Sequence, residues 1–203
     1  QSLGSTLWQN TSYEFKNLSA ENSNDCCSLS IGITKDSDCC WHPHNLWIGI
    51  GCERNSSKKL INRAIDEVFL SAGLAKESIA GISSIDLKSD EEGLIELLDD
   101  NSWSAKFYSA ESLSRISVPN PSLKVNQEIG TPSVSEASAL LAAGEGGQLL
   151  VQKNIFSAKD NELGAVTISI AKSLKSFAPL RGELHLIGSG PGEISYLTND
   201  ARF

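Results

Sequence analysis

The sequence lacks several features that would assign it to a particular class of protein. It contains no methionine, and its 17 basic residues are outnumbered by 25 acidic ones. Because the resulting net charge of −8 repels a phosphate backbone, general nucleic-acid binding is not expected. No apolar run approaches the roughly 20 residues that cross a bilayer, and the first residues do not resemble a signal peptide. We therefore expect a cytoplasmic protein with no membrane partner, processed or cut from a longer chain.

The usual spacing of metal ligands is also missing, although the chain has five cysteines. They form two adjacent pairs and one single residue, Cys26–Cys27, Cys39–Cys40 and Cys52. Zinc modules commonly place two to four residues between cysteine ligands, and adjacent side chains point in different directions. His42 and His44 follow the second pair and could supply imidazole ligands. Reduced thiols in a connector are the favoured interpretation, and no metal site is predicted.

The pattern of apolar residues from Leu46 onward predicts an α/β fold. Short apolar runs bounded by glycine or polar residues predict strands at 46–51, 79–87, 105–108, 148–153 and 164–171. Between them lie segments typical of helices, the first of which has one apolar face made of Leu60, Ile61, Ala64, Ile65, Val68 and Phe69. This alternation predicts a three-layer sandwich with a mostly parallel sheet of about five strands.

Helix ends carry signals of their own. Asn55 or Ser56 is placed to cap the first helix, and Gly73 is placed to end it. The segments Ser89–Glu92 and Ser133–Glu136 match the capping box, in which serine and glutamate satisfy each other's free backbone donors. This pattern gives Glu92 and Glu136 a structural explanation.

Changes in composition divide the chain into four parts. Residues 1–45 are polar and rich in Ser and Asn, which is typical of a connector, with a short strand at 29–33. Residues 46–173 form a self-sufficient α/β domain, and residues 174–182 form a linker. Residues 183–203 contain a strand and a glycine-rich turn, which are too short to bury a core. We expect this last part to be the beginning of a second domain.

Four segments of the α/β domain carry a family resemblance when they are taken in order. They are Gly49–Arg54, Ile85–Lys88 with Glu92, Asn120–Ser122 with Gly130–Ala137, and Lys153 with Gly164–Ala171. Together they resemble the C-terminal domain of the cobalt-precorrin-5A hydrolases of cobalamin biosynthesis. The resemblance implies a corrinoid substrate, in which cobalt is part of the substrate. It also implies a reaction that opens a δ-lactone and releases a two-carbon aldehyde.

The end of the chain resembles a different family. Gly182–Gly192, followed by Leu197-Thr198 and Ala201-Arg202, is similar to the opening of the tetrapyrrole methyltransferases. Ser189 stands where a larger aliphatic residue is more usual. The resemblance implies a fusion with precorrin-3B C17-methyltransferase and an S-adenosylmethionine cofactor. The implied cofactor-binding residues are Gly188, Gly190, Pro191 and Gly192.

The reaction that the first resemblance implies needs a base to activate water and a donor to hold the oxyanion. Glu136 and Glu128 are the candidate bases. Lys88 and Lys153 are candidate partners for the oxyanion or for a substrate carboxylate. Cys52 is disfavoured as a nucleophile, because no histidine near it in the sequence could act as its base.

Substrate binding is expected where strands end, since ligands of open α/β sheets usually lie at that edge. Gly51 ends the first predicted strand and Cys52 and Glu53 follow it, and Lys88 and Lys153 are also expected at or near strand ends. The loop before the alanine-rich helix presents free backbone N–H groups. It contributes Gly130, Thr131 and Ser133.

Three functions are compatible with these patterns. The first is a hydrolase domain in a fusion protein, and the second is a non-catalytic module that binds and passes on a corrinoid intermediate. The third is a nucleotide-binding domain that uses Gly49–Gly51, which is disfavoured because the loop lacks a dinucleotide fingerprint and a Walker lysine. The sequence leaves a homodimer open.

Overall fold

The computed structural model describes residues 30–35, 40–122 and 130–177, which are organised around a five-stranded sheet. Its strands are β3 (Leu46–Cys52), β4 (Ile79–Ile85), β5 (Ser104–Tyr108), β6 (Gln148–Ser157) and β7 (Ala165–Lys172). Before them, β1 (Ser30–Ile31) and β2 (Cys40–Trp41) form a separate parallel pair. The order across the large sheet is β5-β4-β3-β7-β6.

Four of the five strands run in the same direction. β3 is parallel to β4, and β4 is parallel to β5. β7 is antiparallel to both of its neighbours, β3 and β6. The predicted sheet of about five mostly parallel strands is therefore confirmed.

Helices cover both faces of this sheet. α1 (Lys58–Ser71) and α2 (Glu92–Asn101) pack on one face, where they share a core with β3 and β7. α3 (Ala110–Ser114) and α4 (Val134–Ala143) pack on the other face. Short 3₁₀ turns, at Lys76–Ser78 and Asp86–Lys88, precede and follow β4. This arrangement is the predicted three-layer sandwich.

The central strand β3 is buried on both faces, which explains its nearly continuous apolar sequence. Leu46, Ile48 and Ile50 point toward the α1 side, and Trp47 points toward α4. The apolar face predicted for the first helix is confirmed, because all six of its residues are buried in α1. Within the described residues, no helix is long and apolar enough to cross a membrane.

The helix α4 lies unusually close to the sheet. A Cβ atom added to Gly49 would lie 1.8 Å from the carbonyl oxygen of Ser135 in α4. Small polar side chains bridge the same contact: Ser138 Oγ donates to the Ser83 carbonyl at 3.2 Å, and Ser169 Oγ donates to Ser135 Oγ at 3.1 Å. Small residues on both sides therefore set the position of α4.

The N-terminal end of α1 differs from the prediction, whereas its C-terminal end agrees with it. Its N-cap is Ser57, whose hydroxyl accepts a hydrogen bond from the Leu60 amide, and not Asn55 or Ser56. Asn55 instead adopts a φ of 61° in the preceding turn. Gly73 follows the helix with a φ of 64°, so the predicted stop is confirmed.

Both predicted capping boxes are wrong. A 3₁₀ turn follows β4, and Ser89 at its end donates its Oγ hydrogen to the Asp86 carbonyl. α2 begins later, with Glu91 at its N-cap. Ser133 is the N-cap of α4, but its side chain makes no capping hydrogen bond. At the second box, tertiary contacts of Glu136 with Asn120 and Lys153 replace the local pairing that the sequence pattern indicated.

Two strand ends of the large sheet differ from the prediction by two residues or more. β4 ends at Ile85 and not at Leu87, because the 3₁₀ turn begins at Asp86. β6 continues four residues beyond Lys153 to Ser157, so Lys153 lies inside the strand. The pairing of β6 with β7 shifts register between Val151 and Asn154, which gives Lys153 an irregular backbone position.

We expect Gly49→Ala to lower the free energy of unfolding by about 3 kcal/mol, because the new methyl group would overlap the backbone of α4. Gly32→Ala is the control, since the nearest atom to its added Cβ is 3.9 Å away. The control should change stability by less than about 0.5 kcal/mol. Urea unfolding of both variants measures the difference, and equal stabilities would contradict the close contact.

Candidate functional site

A cleft of about 570 Å³ opens at the carboxyl ends of β3 and β4. This is the edge of an open α/β sheet where ligands usually bind. The first residues of β7 and of α4 reach the same edge, because β7 runs antiparallel to β3 and α4 begins above it. The lining residues are Gly51, Cys52, Glu53, Ile85, Lys88, Ser122, Ser133, Val134, Lys153, Ile155, Ala165, Val166 and Thr167.

The cleft brings together residues that are far apart in the sequence. Six of the predicted site residues line it, namely Gly51, Cys52, Glu53, Lys88, Ser133 and Lys153. Glu136, Gly130 and Thr131 are not among its lining residues. The remaining predicted residues lie outside the described part of the chain: Glu128, Gly188, Gly190, Pro191 and Gly192.

Sequence patterns missed the contribution of β7 and of Ser122. Thr167 lines the cleft, and its hydroxyl donates to the Gly51 carbonyl at 3.2 Å. A Cβ atom added to Gly51 would lie 2.6 Å from the same hydroxyl oxygen, so glycine is needed for this pairing. An apolar strand pattern does not reveal the direction of β7, so the sequence does not place its first residues at this edge.

Lys88 is held at the cleft by a buried carboxylate. Its Nζ atom lies 3.6 Å from Glu91 Oε2, and the two side chains are only 11% and 3% exposed. Glu91 also pairs with Arg54 Nη1 at 3.5 Å and accepts a hydrogen bond from the Asn55 amide. Arg54 in turn pairs with Asp90 at 2.6 Å and lowers the pKa of that carboxyl group. This network fixes the lysine and leaves it beside the cleft.

Lys153 is held in a different way. Its Nζ atom donates to the Asn120 carbonyl at 2.7 Å, and its backbone amide donates to Glu136 Oε1 at 3.1 Å. The segment that ends in Ser122 and the strand β6 are thereby joined at the cleft. Two cations, Lys88 and Lys153, consequently line one cavity.

Glu136 is fully buried in the first turn of α4. Besides the Lys153 amide, its carboxylate accepts hydrogen bonds from the Asn120 amide at 3.2 Å and from Asn120 Nδ2 at 2.8 Å. A carboxylate with three donors, away from the cleft lining, is well suited to joining α4 to two other segments. Its assignment as a base stays a prediction, and this geometry favours a structural role.

Cys52 is half-buried at the end of β3. Burial raises the pKa of its thiol to about 11, and the nearby Lys88 offsets only part of that effect. A thiol with this pKa is almost entirely protonated at neutral pH, whereas the thiolate is the nucleophilic form. The geometry therefore agrees with the sequence in disfavouring Cys52 as a nucleophile.

Two hydroxyl groups in the loop before α4 are buried without a hydrogen-bond partner among the described residues. They belong to Thr131 and Ser133, whose exposed fractions are 0% and 2%. Ser133 lines the cleft and Thr131 does not. Because buried polar groups are normally paired, an unpaired hydroxyl beside a cavity marks a place where a ligand could bind.

A second cavity of about 660 Å³ lies at the opposite edge of the sheet, next to Trp47. Lys106 packs against that ring, with its Nζ atom 4.0 Å from the ring centroid. The same atom donates to the Ala142 carbonyl at the end of α4, at 3.2 Å. This lysine therefore serves packing, and the cleft remains the better candidate site.

Within the described residues, no group of three histidine, cysteine, aspartate or glutamate side chains is placed to hold a metal ion. Cys40 Sγ lies 3.8 Å from His42 Nδ1, and that nitrogen lies 2.8 Å from the Gly32 carbonyl oxygen. Cys26, Cys27 and Cys39 are outside the described part of the chain.

Comparison with known families matches residues 46–171 to the family Cobalamin synthesis G C-terminus. The chain belongs to this family. The predicted resemblance of the α/β domain is confirmed, and so is a role in cobalamin biosynthesis.

Individual relatives agree with this assignment. A cobalt-precorrin-5A hydrolase from Priestia megaterium is 34% identical over 131 residues, which make up 64% of this chain and 33% of that protein. Protein CobE from Sinorhizobium sp is 28% identical, over 64% of this chain and 87% of that protein. The chain thus spans about a third of the hydrolase but most of CobE.

The fold is also similar to a solved structure. The crystal structure of CobE, a protein from the cobalamin (vitamin B12) biosynthetic pathway, superposes with a TM-score of 0.56 at 29% identity. The similarity covers 64% of this chain and 91% of the CobE chain. The α/β domain described above therefore corresponds to nearly the whole CobE chain.

We expect Glu136→Ala to lower the free energy of unfolding by about 2–3 kcal/mol, because it leaves the donors on Asn120 and Lys153 unpaired. Glu92→Ala is the matched control, since Glu92 occupies the first turn of α2 but is exposed. Its effect should stay within about 0.5 kcal/mol. Equal effects in thermal or urea unfolding would contradict the structural role of Glu136.

We expect iodoacetamide to modify Cys52 very slowly at pH 7–8 and about tenfold faster per pH unit until the pH approaches the thiol pKa of about 11. Peptide mass spectrometry measures the rate at this residue. The urea-unfolded chain is the control, because there the same thiol should react with an ordinary pKa near 8.5. A folded-state rate that levels off below about pH 9 would contradict the raised pKa.

Proposed function

We propose that this chain is part of a cobalt-precorrin-5A hydrolase and that its α/β domain binds the corrinoid substrate in the cleft. The observation that carries the proposal is the pair of lysines, Lys88 and Lys153, held beside the first turn of a helix at the carboxyl edge of the sheet. The corrinoid implied by the family carries many carboxylates. Lysine side chains and a helix N-terminus are the groups that bind such anions.

The spacing of the two lysines supports a broad ligand. Lys88 follows β4 and Lys153 lies on β6, and two strands, β3 and β7, separate them in the sheet. At about 4.8 Å per strand, β4 and β6 are roughly 14 Å apart. The apolar residues Ile85, Ile155 and Val166 line the same cleft. Separated cations in a partly apolar cleft suit a large ring that carries carboxylates at its edge.

Lactone opening requires catalytic groups in addition to those that bind the substrate. Water attacks the lactone carbonyl with the help of a base, the acyl carbon–oxygen bond breaks, and a donor stabilises the oxyanion. Among the described carboxylates that the sequence singled out, Glu53 lines the cleft and Glu136 does not. In this proposal Glu53 is placed to assist water, and Lys88 is placed to stabilise negative charge.

A second candidate function is a non-catalytic module that binds and passes on the corrinoid. Two observations favour it: the Glu136 carboxylate is occupied by three donors, and the Cys52 thiol is protonated. The extent of CobE is consistent with this candidate, because nearly all of that pathway protein corresponds to this domain. Turnover by the chain itself separates the two candidates.

The fusion to a precorrin-3B C17-methyltransferase that uses S-adenosylmethionine is a further proposal. Its support is the resemblance of Gly182–Gly192 to the opening of that family. A purified longer chain from the same source, tested for methyl transfer from labelled S-adenosylmethionine to a corrinoid, decides it.

We expect Lys153→Ala and Lys88→Ala each to weaken the binding of cobalt-precorrin-5A, or of a stable corrinoid analogue, roughly tenfold to hundredfold. Each change removes a charged partner for a substrate carboxylate. Lys59→Ala is the matched control, because this lysine is exposed on α1 and its Nζ atom contacts the Asp160 carbonyl, away from the cleft. Titration by absorbance measures affinity, and mass spectrometry detects loss of the two-carbon unit.

The outcomes separate the proposals. Weaker binding in both cleft variants but not in the control places the substrate in the cleft. Loss of the two-carbon unit supports a complete hydrolase site within these residues, and binding without that loss supports the binding module. Equal affinities of all four proteins, with folding intact, reject the cleft as the corrinoid site.

A further inference from the structure

The first turn of α4 combines three properties at the wall of the cleft. α4 is a helix of ten residues. Its N-terminus presents free backbone N–H groups and the positive end of the helix dipole. Ser133, its N-cap residue, lines the cleft with its hydroxyl buried and unpaired among the described residues. Lys88 and Lys153 line the same cavity.

The unpaired hydroxyl requires an explanation of its own. An N-cap serine ordinarily accepts a hydrogen bond from the first turn of its helix, and this one does not. Burying a hydroxyl without a partner costs free energy, and a ligand group bound in the cleft would offset that cost. The neighbouring buried serine, Ser135, is paired with Ser169 at 3.1 Å and lies outside the cleft lining.

We propose that the N-terminus of α4 is a subsite for one side-chain carboxylate of the ligand, with the Ser133 hydroxyl donating to a carboxylate oxygen. The second oxygen accepts from backbone N–H groups of the first turn. This inference rests on the proposed function for the identity of the ligand. The site itself rests on the helix end and the unpaired hydroxyl.

The surrounding charges suit a carboxylate there. Glu136 is also in the first turn, but its carboxylate is turned toward Asn120 and the Lys153 amide. Lys153 Nζ donates to the Asn120 carbonyl and retains further donors. Glu53 is an exposed carboxylate of the lining and can remain in solvent.

The test compares a cobalt corrinoid that bears free side-chain carboxylates with its fully methyl-esterified counterpart. Both are titrated by absorbance into the full 203-residue chain and into Ser133→Ala and Ser78→Ala. Ser78→Ala is the matched control, because it also removes a buried hydroxyl that has no partner among the described residues, but one outside the cleft lining.

We expect Ser133→Ala to bind the free-acid corrinoid roughly tenfold to hundredfold more weakly and the ester with nearly unchanged affinity. Its melting temperature should stay equal or rise, because an unpaired buried hydroxyl is removed. Ser78→Ala should bind both forms as the unaltered chain does, and its melting temperature should also stay equal or rise. Equal affinity of Ser133→Ala and the unaltered chain for the free acid overturns the subsite. An equal loss for acid and ester also overturns it.

Acetate is a second probe, which distinguishes failure of the proposed function from failure of the carboxylate subsite. If the unaltered chain binds neither corrinoid, acetate is titrated at constant ionic strength while the backbone amide signals of Ser133, Val134 and Ser135 are followed by NMR. Saturable shifts that disappear in Ser133→Ala support the carboxylate subsite although the corrinoid assignment has failed. No shifts at these amides in the unaltered chain overturn the subsite.

Discussion

The close contact between α4 and the central strand is the constraint on which the rest of the site depends. Gly49 leaves no space between β3 and the Ser135 carbonyl, so α4 is fixed in height and rotation above the sheet. That position brings Ser133 and Val134 to the ends of β3 and β4, where the cleft opens. A larger residue at Gly49 would therefore disturb both the core and the cleft, because one packing contact determines both.

The buried carboxylates extend this constraint to the charged residues. Glu136 is positioned by α4 and fixes Asn120 and the backbone of Lys153, whose amine then returns to the Asn120 carbonyl. On the other side, Glu91 at the start of α2 fixes Lys88 and Arg54. Each lysine of the cleft is therefore held by contacts that do not require a ligand. Side chains fixed in advance lose less conformational entropy when a ligand binds.

Local patterns predicted the layers of the fold and six of the cleft residues, because strands, the α1 face and the Gly73 stop depend on neighbouring residues. They failed at Ser89–Glu92 and Ser133–Glu136, where the capping box competes with partners that the sequence does not reveal. Glu136 joins residues 16 and 17 positions away, and Glu91 joins Arg54 across 37 positions. The direction of β7 and the unpaired Ser133 hydroxyl also depend on tertiary packing. Predictions for Glu128 and for residues 188–192 lie outside the described part of the chain and stay predictions.

The arrangement of polar groups indicates what kind of ligand the cleft can distinguish. Lys88 after β4, Lys153 on β6 and the N-terminus of α4 are three separate positions around apolar side chains. A small anion could contact one of them, whereas a large ring with several carboxylates could contact all three at once. Contacts made together by one rigid ligand strengthen binding, since the ligand is immobilised only once. The spacing of the three positions, more than the strength of any one of them, would then determine which intermediate is selected.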